Sequence, residues 1–135
     1  MRLIFLLIVM SSLSPSMVNA EEINVEIFDV ETEQVVKTVS KTDDMQHEVE
    51  RYIESIDDIF KGIDPVPEDG FMIKIPLDPV VKIDNEWLQS EVDTVIIIKP
   101  ENEKPYLLLF DEENRPWVFL FETPIDELLS LVDYP

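Results

Sequence analysis

Cysteine is missing from this chain, glycine occurs twice and histidine once. Without thiols there is no disulfide, no thiol nucleophile, no thiolate metal site and no thioether lipid anchor. The two glycines, Gly62 and Gly70, stand apart. No glycine-rich loop can therefore cradle a phosphate, and nucleotide binding of the common kinds is excluded. A lone histidine cannot build a multi-histidine zinc centre, and His47, lying between Met45 and Val49, reads as a surface or boundary residue. Positive charge is scarce as well: 10 Lys and Arg stand against 30 Asp and Glu, for a net charge of −20. Such a surface repels nucleic acid and anionic lipid, while it attracts cations and basic protein faces. Its commonest role is to keep a protein dispersed.

Long apolar stretches are also few. The longest, Leu3 to Met10, spans eight residues, far short of the ~20 a helix needs to cross hydrocarbon. Arg2 precedes it, a polar stretch with Pro15 follows it, and Val18-Asn19-Ala20 offers the side chains a signal peptidase accepts. This is the layout of a secretory signal. The expectation is a signal peptide at 1–20 cleaved between Ala20 and Glu21, a single domain at 21–135, a secreted or cell-envelope location and no stable membrane insertion after cleavage. Removing 20 of 135 residues leaves 115, and losing Arg2 takes the net charge from −20 to −21. A domain of that size buries roughly 65% of the surface its unfolded chain exposes, so a hydrophobic core suffices without disulfides.

Along that domain, Ile23, Val25 and Ile27 alternate with Asn24 and Glu26, the period of a half-buried strand. Val35 to Ser40 supply a second strand and complete a hairpin, with Val36 and Thr38 on one face and Val35, Lys37 and Val39 on the other. Met45, Val49, Tyr52, Ile53, Ile56, Ile59 and Phe60 then recur at helical spacing, which predicts a helix over 43–61. Thr42 is its cap, Asp43 and Asp44 sit where the helix dipole favours negative charge, and Gly62 is its stop. Pro65 and Pro67 stiffen an acidic loop. Phe71 to Ile75 and Val80 to Ile83 resume alternation, but Pro76 and Pro79 cannot donate to a ladder, so an edge strand, a bent pair or partly extended coil is expected there. Asp84 to Asp93 reads as a connecting loop or one helical turn.

The last third is the most apolar. Val95 to Ile98, Tyr106 to Phe110 and Trp117 to Phe121 are uninterrupted apolar runs, as in strands buried on both faces. Glu101 to Phe110 and Glu112 to Phe121 share an order of acidic turn, basic residue, proline, aromatic and apolar strand, which fits consecutive strands of an antiparallel meander. Thr123 as cap, Pro124 in the first helical position and Asp126 open a final helix over 124–132, with Ile125, Leu128, Leu129 and Val132 as its buried stripe. The predicted fold class is α+β: a mostly antiparallel sheet of about five to six strands packed with two helices. Both faces of its C-terminal strands need cover, either from helices on opposite sides of the sheet, the preferred arrangement, or from a partner or a second copy of the chain.

Candidate sites are few. Calcium takes six to eight oxygens, and two acidic loops offer them: Asp64, Glu68 and Asp69, and Asp111, Glu112, Glu113 and Asn114. Neither loop follows the EF-hand order of ligands. No other cofactor is indicated. A carboxylate-dependent hydrolase would need two acids in a cleft with aromatic platforms, and the chain supplies acids and tryptophans without a pattern that selects a pair. Trp87, Tyr106 and Trp117 are candidate contacts for a partner. The segments Pro-Glu-Asp-Gly-Phe-Met-Ile-Lys-Ile-Pro (Pro67 to Pro76) and Pro-Tyr-Leu-Leu-Leu-Phe (Pro105 to Phe110), with the terminal Leu-Leu helix, resemble small exported proteins of unassigned function from Gram-positive bacteria. That resemblance implies compartment and domain count, and no catalytic residue. The expectation is thus a non-catalytic secreted module that binds or inhibits another exported or envelope protein, with a calcium-binding protein and a small hydrolase as alternatives.

Overall fold

In the computed structural model of the protein, which describes residues 23–62 and 64–135, the period-2 segments assemble into one sheet. The expected signal peptide at 1–20 lies outside the described residues. Strands β1 (Asn24–Asp29) and β2 (Gln34–Ser40) precede helix α1 (Asp43–Glu54), and β3 (Ile56–Ile59) follows it. Then come β4 (Phe71–Asp84), β5 (Gln89–Lys99), β6 (Tyr106–Phe110), β7 (Pro116–Phe121) and helix α2 (Asp126–Val132). The sheet order is β2-β1-β4-β5-β6-β7-β3, and every neighbouring pair is antiparallel. The α+β class and the C-terminal meander stand as expected, with seven strands in place of five or six. Among the described residues no helix is long and apolar enough to cross a membrane.

The seventh strand comes from the end of the expected first helix. Thr42 caps α1 as anticipated, its Oγ1 accepting from Met45 N at 3.3 Å, but the helix stops at Glu54, not at 61. Ser55 closes it, with its N–H donating to Arg51 and Tyr52 carbonyls and its Oγ to Tyr52 O. Ile56 and Ile59, which also fit the helical stripe, pair instead with Phe121 and Phe119 of β7. Phe60 N then donates to Val118 O. A sheet edge in need of a partner outweighs local helical preference here, and Gly62 terminates no helix.

Two further boundaries differ for the same kind of reason. Thr123 does not cap α2; it donates from Oγ1 to Ser55 Oγ at 2.9 Å, tying the start of α2 to the end of α1. Ile125 takes the cap position without a side-chain hydrogen bond, and the helix begins at Asp126 rather than 124. In β2 the register shifts opposite Ile27 and Phe28, so that Val35 pairs with Phe28 and Thr38 with Glu26. That bulge puts Val35 on the face of Thr38, contrary to strict alternation.

Strand β4 is central, although it carries both prolines. Its pairing with β1 ends at Lys74, and its register with β5 shifts between Pro76 and Val81. Pro76 is the last residue paired with β5 before the break and lies beyond the pairing with β1, and Pro79 falls inside the break, so their missing N–H groups cost little. The polar backbone of this stretch is answered by Gln46, which is only 4% exposed. Its Oε1 accepts from Asp78 N at 3.0 Å and its Nε2 donates to Pro79 O at 2.9 Å. On the other side of the hairpin, Asn85 Oδ1 accepts from Trp87 N and Leu88 N, both at 2.9 Å, and β5 starts at Gln89.

The helices do not straddle the sheet. They pack against each other and share one core with Ile27, Ile73, Ile97, Leu107 and Phe119, so both cover the same face. The expected opposite-sided arrangement is overturned because α1 crosses from the β2 edge to the β3 edge, and the Ser55–Thr123 contact then holds α2 beside it.

Replacing Gln46 by Leu keeps the volume and removes both hydrogen bonds to the β4 bulge. The expected loss is about 1–3 kcal/mol of unfolding free energy, measured by urea denaturation with an unchanged slope; a loss below about 0.3 kcal/mol would contradict the bracing role.

Candidate functional site

Because successive residues of a strand face opposite ways, the face away from the helices is set by register. One row of that face reads Phe28, Met72, Ile98, Tyr106, Leu120, and the next Glu26, Lys74, Ile96, Leu108, Val118. Below them stand Thr94 and Phe110. From β5 to β7 this surface is apolar for the same reason the opposite one is: the runs have no polar interruption. Ile96, Leu108, Val118 and Leu120 are nonetheless half-buried rather than buried, and Phe110 is 40% exposed.

Part of the face is closed by the proline-containing segment that joins β3 to β4. The Phe60 ring stacks on Tyr106 with centroids 4.4 Å apart. Tyr106 Oη donates to Pro65 O at 2.6 Å, and both Tyr106 and its cross-strand neighbour Ile98 are buried. Asp64 Oδ1 accepts from Val66 N, Asp69 Oδ1 accepts from Glu101 N, and Val30 N donates to Gly70 O, each at 3.0 Å. Gly70 is required at that joint: its φ is +94°, and a Cβ there would run into Lys99 O.

Between this segment and the β1–β2 turn lies a groove of about 790 Å³, with Phe28, Val30, Val66, Pro67 and Met72 as apolar walls and Glu31, Glu33 and Glu68 at its rim. Diagonally across the face a second hollow, of about 380 Å³, is formed by Val80 and Phe110 with Glu91, Asp93, Asp111, Glu112 and Asn114. Both hollows are open to solvent and edged by carboxylates.

In the acidic loops offered for calcium, several carboxylates accept hydrogen bonds from the chain itself. Asp111 is buried, and its carboxylate accepts from Glu113 N, Arg115 N and Arg115 Nε at 2.9 Å and from Trp117 Nε1 at 3.0 Å. These donors, the Arg115 N–H foremost, hold the Asp111 carboxyl down at about 2. Asn114 supplies the left-handed position of the turn at φ 66°. Glu113 pairs with Arg115 Nη2 at 3.0 Å, and Glu112 Oε2 accepts from Glu91 N at 3.3 Å. In the other loop Asp64 and Asp69 are engaged as described above, and Glu68 stands on the groove rim. Among the described residues no three His, Cys, Asp or Glu side chains are grouped so as to hold a metal ion.

Nor do the aromatic candidates come together as a contact surface. Trp87 and Trp117 are half-buried against Phe119, with centroids 6.0 and 6.1 Å away, on the helix side. Tyr106, expected near the surface, is buried under Phe60 because its hydroxyl finds a carbonyl there. Beside the β3–β7 edge, the Asp57 side chain, through hydrogen bonding and like charge, raises the carboxyl of Glu122 above its usual range. Both acids are exposed. Sequence reasoning missed Ile96, Leu108 and Phe110 as surface, because a continuous apolar run looks the same whether its second face is covered or open.

No known protein family, curated protein or solved structure matches the chain.

The folded-state value of about 2 for Asp111 lies below its ordinary 3.8, so its stabilisation is complete above that ordinary value and disappears as pH falls through about 2. Asp111→Asn accordingly lowers the thermal midpoint at pH 7, and the gap to the parent protein closes on acidification toward pH 2. A gap of constant size across that range would contradict this.

Proposed function

We propose that the protein is a non-catalytic exported binding module that acts on another exported or envelope protein through the sheet face away from its helices. The observation that carries this reading is the half-buried apolar surface of Ile96, Leu108, Val118 and Leu120, continuous with the exposed Phe110. Each strand β5 to β7 carries apolar residues on both faces, yet both helices pack on one. Leaving such residues wet forgoes roughly 25 cal/mol for every Å² that a partner could cover, and contiguous apolar surface of this kind marks interaction sites in soluble proteins. The leader sequence supports an exported setting. The engagement of Asp111, Asp64 and Asp69 as turn anchors also favours binding through the sheet over binding through the acidic loops.

Selection of a displayed random-peptide library on the full-length protein tests the reading. The selected peptides are expected to bind Leu108→Asp about tenfold or more weaker, about 1.4 kcal/mol, while the variant keeps its far-ultraviolet circular dichroism. Val36→Asp, on the exposed β2 edge, is expected to leave them unaffected. Peptides that ignore Leu108→Asp and lose affinity for Val36→Asp would overturn the proposal.

A further inference from the structure

We infer that the occupant of the open face is a cationic amphipathic segment of another polypeptide, lying diagonally from the groove rimmed by Glu31, Glu33 and Glu68 to the hollow rimmed by Glu91, Asp93 and Glu112. This rests on the reading of that face as the binding surface and adds the partner's chemistry. Each end combines apolar wall with carboxylate rim, and the ground between holds the apolar Ile96 and Leu108, with Lys74 beside Ile96. That order suits a segment with positive charge toward its ends and an apolar middle.

The ion pairs of the fold leave these rims out. Arg51 serves Glu48, Arg115 serves Asp111 and Glu113, Lys37 serves Asp133, and Lys61 serves Asp58. Among the described residues none of the six rim carboxylates has a Lys or Arg within ion-pair distance. Lys74 is exposed near the middle of the face, opposite Glu26. It disfavours positive charge at the centre and reinforces the preference for cations at the two ends. A second copy of the chain would bring a net −20 against −20, and an anionic membrane would be repelled in the same way. A basic polypeptide is drawn in by the field that rejects both.

The length of the segment follows from strand geometry. Asp93 and Ile98 are five residues apart on β5, about 17 Å at ~3.3 Å per residue, and the groove lies one to two strands to the side at ~4.8 Å each. The diagonal is roughly 18–20 Å, which about 13 helical residues at 1.5 Å each would span.

Fluorescence anisotropy on the full-length protein tests this with three labelled peptides of roughly 14 residues: an amphipathic helix with Lys near both ends, the same helix with Glu replacing Lys, and a scrambled sequence of the Lys composition. The Lys helix is expected to bind at least about tenfold tighter than the other two, and to weaken as salt rises and shortens the Debye length. Glu31→Gln, Glu33→Gln and Glu68→Gln, combined on exposed positions, are expected to weaken it about tenfold and to flatten the salt dependence. Leu108→Asp is expected to abolish binding. Equal binding of the Lys and Glu helices, both lost in Leu108→Asp, would overturn the cationic partner and leave the open-face reading intact. Binding of the Lys helix that survives Leu108→Asp would overturn both, as charge adsorption alone. Dimerisation in sedimentation that Leu108→Asp removes would identify a second copy as the occupant and overturn the inference, as would failure of all three peptides to bind.

Discussion

Seven strands joined edge to edge present two faces to water, and helices of 12 and 7 residues are enough to cover one. The other features of the molecule accommodate that mismatch between sheet and cover. The hydrogen-bond ladder fixes the sheet's width, the crossover from the β2 edge to the β3 edge carries α1 over a single face, and α2 joins it there. The strands were nonetheless composed as if both faces were to be dry. What the helices leave uncovered is answered in part by the segment from Phe60 to Asp69 and in part by nothing else among the described residues.

At four places a single polar side chain takes up backbone groups outside the regular pairing. Gln46 braces the β4 bulge, Ser55 ends one helix and holds the start of the other, Asp111 gathers four N–H donors around its turn, and Tyr106 pins the covering segment to Pro65. In the acidic loops the engagement is uneven: Asp111 takes four donors, Asp64 and Asp69 one each. The segment that borders the larger groove is tied to the rest of the fold at Pro65, Asp69 and Gly70.

Much of the fold was legible in the sequence. Thr42 and the two aspartates after it marked the start of α1, and the uninterrupted runs near the carboxyl end marked β5 to β7. The failures have one cause, in that local pattern cannot see a neighbour. Ile56, Ile59 and Phe60 satisfy a helical stripe and a strand equally, and only β7 decides between them. Pro76 and Pro79 argue for an edge until a buried glutamine on another element is known to serve the bulge. The candidate site was half legible: an excess of apolar residues on β5 to β7 was plain, but the side chosen by the helices was not. Trp87 and Tyr106 drew attention as aromatics that could meet a partner, while Ile96, Leu108 and Phe110, which border the opening, looked like ordinary core.

Methyl nuclear magnetic resonance of the protein with a soluble paramagnetic probe separates the dry, helix-covered face of the sheet from the open part of the other face on β5 to β7. Broadening of the Ile96, Leu108 and Val118 methyl signals, with those of Val95, Ile97 and Leu107 spared, is the result the account requires. Equal protection of both sets would contradict it, since something would then cover the face described here as open.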